Sequence, residues 1–286
     1  MKKLLAVRKT SDRHWVGDGF FVSSVFSYAE QGNPFDPFLL MDYAAPVEFA
    51  GDGKRRGVGG HPHKGFETVT IAYQGEVEHR DSSGGGGTIG AGDVQWMTAG
   101  AGIIHEEFHS TEFARTGGIF EMVQLWVNLP ARHKGEAPGY QTLLSTDIPV
   151  VQATTGTGHV RVIAGEFGST TGPARTFTPI NLWDGDLKAG SSISLPAPDG
   201  HTTTVLVIKG RITLDGTDVD EAHLAIFDRA GAGLNLTAAT DARFLVLTGE
   251  PINEPVVGHG PFVMNTEEEI ADAFRQFRSG VMGALV

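Results

Sequence analysis

Glu67-Thr68-Val69-Thr70-Ile71-Ala72-Tyr73-Gln74-Gly75 is the stretch on which the fold turns. Its β-branched and aromatic side chains favour a strand, and Gln74-Gly75 supplies the turn that ends it. A segment of the same kind, Thr202 to Gly210 (TTTVLVIKG), lies at an offset of 135 residues. A second pair, Ala99 to Ile103 (AGAGI) and Ala230 to Leu234 (AGAGL), lies at an offset of 131. The difference falls in the intervening loop, where Gly84 to Gly87 lengthens the first copy. Strand, glycine turn and strand in the same order imply two similar all-β units. The boundary is expected around Leu144 to Gly158, giving one domain over 1–144 and another over 145–286.

The rest of the chain extends this pattern. Further strands are expected at Asp93 to Thr98, Met122 to Asn128, His159 to Ala164, Val205 to Ile208, Leu224 to Asp228 and Arg243 to Thr248. Gly or Pro punctuates nearly every gap, as in a β-sandwich or barrel. One helix stands out near the C-terminus. Thr266 and Glu269 form a capping box, with Glu267 and Glu268 in the first turn. Ile270, Phe274 and Phe277 make one apolar stripe, Arg275 and Arg278 lie in the last turns, and Gly280 is placed to supply the C-cap. The stripe reads as a helix docked on a β core.

Composition removes several classes of function. The 286 residues hold 22 Lys+Arg and 34 Asp+Glu, a formal net charge of −12. Such a surface repels phosphate backbones and no basic cluster reverses its sign, so direct nucleic-acid binding is not expected. Cysteine is absent, which excludes disulfides, zinc fingers, iron–sulfur sites and thiol catalysis and suits a reducing compartment. The 39 glycines are about twice the usual share and are spread as turn material. Arg8-Lys9 ends the apolar run Leu4 to Val7 below the ~7 residues of a signal peptide core. Nothing approaches the ~20 apolar residues that cross a bilayer. A cytoplasmic monomer without a membrane partner is expected.

The chemistry concentrates at His61-Pro62-His63 and, 42 residues later, His105-Glu106-Glu107. Residues two apart on a strand share a face, so His61 with His63 and His105 with Glu107 can converge on one interior. Three imidazoles and a carboxylate form a mixed N/O set suited to Fe, Mn, Ni, Cu or Zn. The repeat acts as an internal control. Carried across by the offsets, the four positions become Pro196, Pro198, Leu236 and Ala238, so the polar set belongs to one copy only. The remaining candidates read as structural. His79 and His109 are expected to be satisfied histidines, and His201, His223 and His259 lack spaced partners. Trp96 reads as core, and Ser82 to Gly87 is a long turn with no Gly-Lys-Ser/Thr phosphate signature. No nucleophile elbow with a Ser, Asp and His in order is present.

Several longer motifs resemble the pirin family. They are His61 to Thr70 (HPHKGFETVT), His79 to Ser82 (HRDS), Gly92 to Gly100 (GDVQWMTAG) and Gly102 to Glu107 (GIIHEE). Asp36 to Asp42 (DPFLLMD), Gln124 to Pro130 (QLWVNLP) and Gly258 to Asn265 (GHGPFVMN) belong with them. The resemblance runs from about residue 15 to residue 283. It implies a bicupin, two jelly-roll-like β-barrels with a metal in the N-terminal barrel alone, the C-terminal barrel lacking ligands and ending in a helix. It implies that the metal is iron, as Fe(II), on the positions matching His61, His63, His105 and Glu107. In that family the position of Glu67 is not a ligand, so Glu67 is expected to support the site or the fold. Lys64 stands where many members carry Arg, which alters a contact expected near the pocket. Glu106 is expected to face away from the ligands.

The resemblance also implies an activity. Bacterial members are associated with quercetinase chemistry, the dioxygen-dependent opening of a flavonol such as quercetin with loss of carbon monoxide. Glu107 is then the expected base for the flavonol 3-hydroxyl. The alternative is a non-enzymatic, iron-dependent regulator that binds a partner protein. A third reading, a non-oxidative cupin, follows from the versatility of the fold.

Overall fold

The computed structural model describes residues 1–285. The chain is mostly strand, and the expected segments appear with longer ends. Phe66–Gln74 and Thr202–Lys209 form the two repeated strands, and Gly117–Asn128 extends well before Met122. Each lies inside a seven-stranded antiparallel sheet that faces a four-stranded antiparallel one in the manner of a cupin barrel.

The unit holding the histidine motifs comprises Ser11–Pro34, Phe38–Ser145 and Ile252–Val286. Its larger sheet runs, in spatial order, 139–143, 94–98, 66–74, 117–128, 38–50, 20–27 and 13–16. Its smaller sheet runs 57–63, 103–109, 77–81 and 86–89. Phe20, Val22, Ala72, Val77, Phe113, Phe120 and Met122 pack between them. The other unit comprises Met1–Thr10, Phe35–Pro37 and Thr146–Pro251. Its sheets repeat the plan with strands 4–9, 223–227, 202–209, 242–249, 180–187, 158–164 and 150–152, and then 192–196, 233–238, 211–214 and 217–220. The linear division into 1–144 and 145–286 therefore differs from the contacts at both ends. Leu4–Lys9 pairs with His223–Phe227, whereas the C-terminal segment belongs with the histidine-bearing unit.

The internal comparison also shifts in register. In the first unit His105 lies opposite His61 and Ile103 opposite His63. In the second, Leu236 lies opposite Ile193 and Leu234 opposite Leu195. The counterparts of His61 and His63 are thus Ile193 and Leu195, in place of Pro196 and Pro198. The cause is local. Lys64 and Gly65 alone join strand 57–63 to the repeated strand 66–74 in the first unit, whereas Ala197 to His201 join 192–196 to 202–209 in the second, and the longer connection offsets the numbering. Ile193, Leu195, Leu236 and Ala238 all belong to one apolar cluster. The second barrel fills with hydrocarbon the space that the first gives to imidazole and carboxylate.

The helix Glu267–Arg278 forms as its capping box dictates, with Thr266 accepting from the Glu269 amide and Glu269 accepting from the Thr266 amide. Ile270 and Ala273 are buried against Phe262, Met264 and Met282, with Phe274 partly buried beside them. Phe277, expected on the same stripe, is 38% exposed. Ser279 is the C-cap, and Gly280 follows it in the left-handed region at φ 78°. No helix is long and apolar enough to cross a membrane among the described residues.

Thr266→Ala removes the Oγ1 acceptor of one cap bond and leaves the backbone amide that donates to Glu269. It is expected to cost about 0.5–2 kcal/mol of stability, read by denaturant unfolding. An unchanged unfolding midpoint would show that the cap contributes nothing.

Candidate metal centre

The strand Gly57–His63 pairs with Ile103–His109, and a bulge at Gly59-Gly60 separates the His61–His105 pair from the Val58–Glu107 pair. On its other side Ile103–His109 pairs with Val77–Asp81, setting Asp81 opposite His105 and His79 opposite Glu107. The two-residue period then places His61, His63, His105, Glu107, His79 and Asp81 on the same inner face.

Three imidazoles gather there. The rings of His61 and His105 are 4.3 Å apart between centroids, and His63 is 4.8 Å from each. Every one uses Nδ1 for an outer contact: His61 with the Gly59 carbonyl at 2.9 Å, His63 with the Pro261 carbonyl at 3.3 Å, and His105 with His79 Nδ1 at 3.3 Å. That pattern leaves the Nε2 atoms for the interior. His105 Nε2 is buried and has no hydrogen-bond partner, a costly state unless something is held there. The trio's ligating atoms lie within 4.8 Å of one another. An N/O donor set of this kind fits a first-row divalent metal, and the orphaned nitrogen marks where it would sit.

Glu107 stands slightly apart. Its carboxylate groups with His79 and His105 within 4.8 Å, and does not join the trio by that measure. Oε1 accepts from Thr70 Oγ1 at 3.2 Å and from Gln95 Nε2, while Gln124 Nε2 is 3.4 Å from Oε2. Tyr140 donates to Gln95 Oε1 at 3.2 Å and so turns the Gln95 amide nitrogen toward Glu107. These partners hold the carboxylate at the edge of the site.

Burial disfavours the charged form of two of these rings. Burial first, and neighbouring His61 next, push His63 down to about 3. Burial and then His63 drive His105 the same way.

A cavity of about 440 Å³ opens over the site, lined by His61, His63 and Glu107 on one side. Phe20, Val22, Leu40, Met122 and Trp126 make its apolar walls, and Asp42 and Gln124 are its other polar groups. Burial raises the Asp42 carboxyl, against a 2.8 Å hydrogen bond from Ser24 Oγ. A larger cavity of about 590 Å³ in the other unit holds His201 and Glu166, with no clustered ligand set among the described residues. Chemistry, more than size, singles out the first.

Several expectations change in detail. His79 is satisfied, as expected of a structural histidine, yet its partners are Asp81 and His105, which puts it directly behind the site. His109 is structural: Nε2 meets the Gly19 carbonyl at 2.9 Å and its ring stacks on Phe120 at 4.7 Å. Lys64 lies away from the metal pocket and lines another cavity with Glu268, Glu269 and Asp272, its ammonium donating to the Ala101 carbonyl. Glu67 accepts from Thr98 Oγ1 at 2.7 Å, and burial pushes its carboxyl up to about 7. Its hydrogen bond goes to Thr98 and not to a histidine. Glu106 faces outward and pairs with Arg80 and Arg55. The roles of Asp42, Thr70, Gln95 and Gln124 are absent from the sequence reading, because single polar residues among apolar strands carry no spacing signal. His79-Arg80-Asp81 does carry one, a His and an Asp two apart around an exposed Arg.

Known proteins place the chain in company. Residues 19–127 match the Pirin family and 182–283 match the Pirin C-terminal cupin domain. A crystal structure of quercetin 2,3-dioxygenase from Acinetobacter baumannii superposes with a TM-score of 0.97 at 53% identity, covering 100% of both chains. A Pseudomonas aeruginosa relative is 54% identical over 98% of each chain, and its name gives the same enzyme provisionally. Mus musculus pirin is 40% identical over 87% of this chain and 83% of its own.

The buried imidazoles predict an acid-labile fold. Unfolded histidine titrates near 6.5, whereas His63 waits until about 3 and His109, lowered by burial, until about 4. Below pH 6.5 the unfolded chain therefore binds protons that the fold refuses. The stability these histidines contribute to the metal-free protein is full above that pH and should fall progressively toward pH 4, with His109→Phe making the decline shallower. Denaturant midpoints measured from pH 7 to pH 4 check this, and a flat profile contradicts it.

Proposed function

Because the chain belongs to the pirin family, we propose that it is a metal-dependent dioxygenase that opens a flavonol ring. The observation that carries this reading is the trio of imidazoles, each anchored through Nδ1, at the wall of an apolar cavity. His61, His63 and His105 would hold the ion, with Glu107 as fourth ligand, in the unit formed largely by residues 1–144. The second unit, with Ile193, Leu195, Leu236 and Ala238 at the matching places, has a structural role. Fe(II) is the ion assigned on the resemblance to pirins; the imidazole and carboxylate donors accommodate it, as they would Mn, Ni, Cu or Zn. A bound iron would supply the redox capacity that lets a flavonol react with dioxygen, a reaction that takes up one O₂ and releases carbon monoxide.

The chain's own residues do the rest. The cavity of about 440 Å³ lies within the range of about 300–1,000 Å³ common for small-ligand sites. Phe20, Val22, Leu40, Met122 and Trp126 enclose the aromatic rings and exclude water. Asp42 and Gln124 offer hydrogen bonds to flavonol hydroxyls. Glu107 accepts the 3-hydroxyl proton. Thr70 and Gln95 engage Oε1 and Gln124 is a longer neighbour of Oε2, so Oε2 is the freer oxygen, and Glu107 would have to loosen from the ion before Oε2 takes that proton.

Iron-loaded protein is expected to consume dioxygen and evolve carbon monoxide with quercetin. Glu107→Gln should lower turnover at least ten-fold more than it lowers metal content, since three histidines remain. Equal losses of both would remove the base assignment. Bound iron with no turnover on any flavonol would favour the regulatory, partner-binding reading.

A further inference from the structure

We propose that Asp81 and His79 form a proton-ordering relay that locks His105 in its metal-ligating tautomer. The inference rests on the metal-site reading and adds two positioning residues to it.

The relay starts from a fixed acceptor. Asp81 Oδ1 accepts from the Ser83 amide at 2.8 Å, from Ser83 Oγ at 2.6 Å and from the Gly85 amide at 3.0 Å. Three donors saturate that oxygen and leave Oδ2 for His79 Nε2, at 3.0 Å, where both side chains are fully buried. Gly85 is part of the fit, because a Cβ there would stand 2.5 Å from Asp81 Oδ2. A carboxylate only accepts, so the proton between them belongs to His79 Nε2. In the neutral ring, His79 Nδ1 then carries a lone pair. The next contact, at 3.3 Å, joins that atom to His105 Nδ1, and one of the two must donate. His105 Nδ1–H is the donor, which strips His105 Nε2 of its proton. That nitrogen is the buried atom without a partner.

Nothing in the relay is free to turn. The His79 ring stacks on Tyr140 at 4.8 Å with an interplanar angle of 16°. Asp81 and His105 are direct cross-strand neighbours, as are His79 and Glu107. The Ser82 hydroxyl donates to the Met282 carbonyl at 2.6 Å and accepts from the Ile104 amide at 3.0 Å, bracing the backbone on both strands. A buried carboxylate acting through an intervening imidazole also increases the basicity of the ligating nitrogen.

Asp81→Asn tests the polarity of the relay. The three donors around Oδ1 will keep the amide oxygen, so the amide NH₂ faces His79. His79 must then accept at Nε2 and donate from Nδ1, and His105 is left with its proton on Nε2. Histidine ¹⁵N NMR of the metal-free protein reads the tautomers directly, and anaerobic Fe(II) titration against a competing chelator reads affinity. Expected are a bare Nε2 on His105 in the wild type, a protonated one in Asp81→Asn, and Fe(II) affinity about 10–100-fold weaker in the variant. Ser83→Ala keeps the carboxylate and should stay within a few-fold of wild type. A protonated His105 Nε2 in the wild type overturns the relay, even if Asp81→Asn fails to fold. So does unchanged affinity in a folded Asp81→Asn. A wild-type protein that binds no Fe(II) removes the metal-site reading instead, while the tautomers still judge the relay.

Discussion

The site depends on one register. His105 faces His61 across a ladder that also carries Asp81 on the far side of His105. Since side chains alternate from face to face, a slip of one residue would turn His105 and Glu107 out of the barrel and bring Glu106 in. The bulge at Gly59-Gly60 is the device that reconciles this register with the rest of the sheet, and it leaves the Gly59 carbonyl in place to anchor His61. The barrel is thus a frame that fixes which nitrogen of each histidine points inward.

The two units show how little of a cupin barrel specifies its chemistry. Both use a seven-stranded and a four-stranded antiparallel sheet, and both place the repeated strand at the same point in the larger one. Where the first has His61, His63, His105 and Glu107, the second has Ile193, Leu195, Leu236 and Ala238, packed in a continuous apolar core. Burying apolar area is favourable without further partners, at about 25 cal/mol per Å². Burying imidazole and carboxylate requires a partner for every polar atom. The first unit supplies such partners through the Gly59 and Pro261 carbonyls, Thr70, Gln95, His79 and Asp81, and falls short at His105 Nε2.

Much of this was legible in the sequence, for definite reasons. Strand content followed from β-branched runs, the helix from its capping box, and the histidine cluster from the two-residue spacing of His61-x-His63 and His105-x-Glu107. What was hidden had three-dimensional causes. The longer connection Ala197 to His201 displaced the apparent counterparts of His61 and His63, and no pattern in the sequence reveals where an insertion falls. The exchange of terminal segments between the units leaves no local trace either. His79 read as structural because a buried histidine with two partners looks alike in a core and behind a metal, and only the identity of His105 as one partner separates them.

Diffraction at the iron absorption edge, from crystals grown with Fe(II), tests the central claim most directly. Among the described residues, two groups of side chains are close enough to ligate, His61 with His63 and His105, and His79 with His105 and Glu107. The account predicts one anomalous peak, within coordination distance of Nε2 of His61, His63 and His105 and joined by a Glu107 oxygen, with His79 outside. A peak centred on His79, His105 and Glu107, or no peak at all, would contradict it.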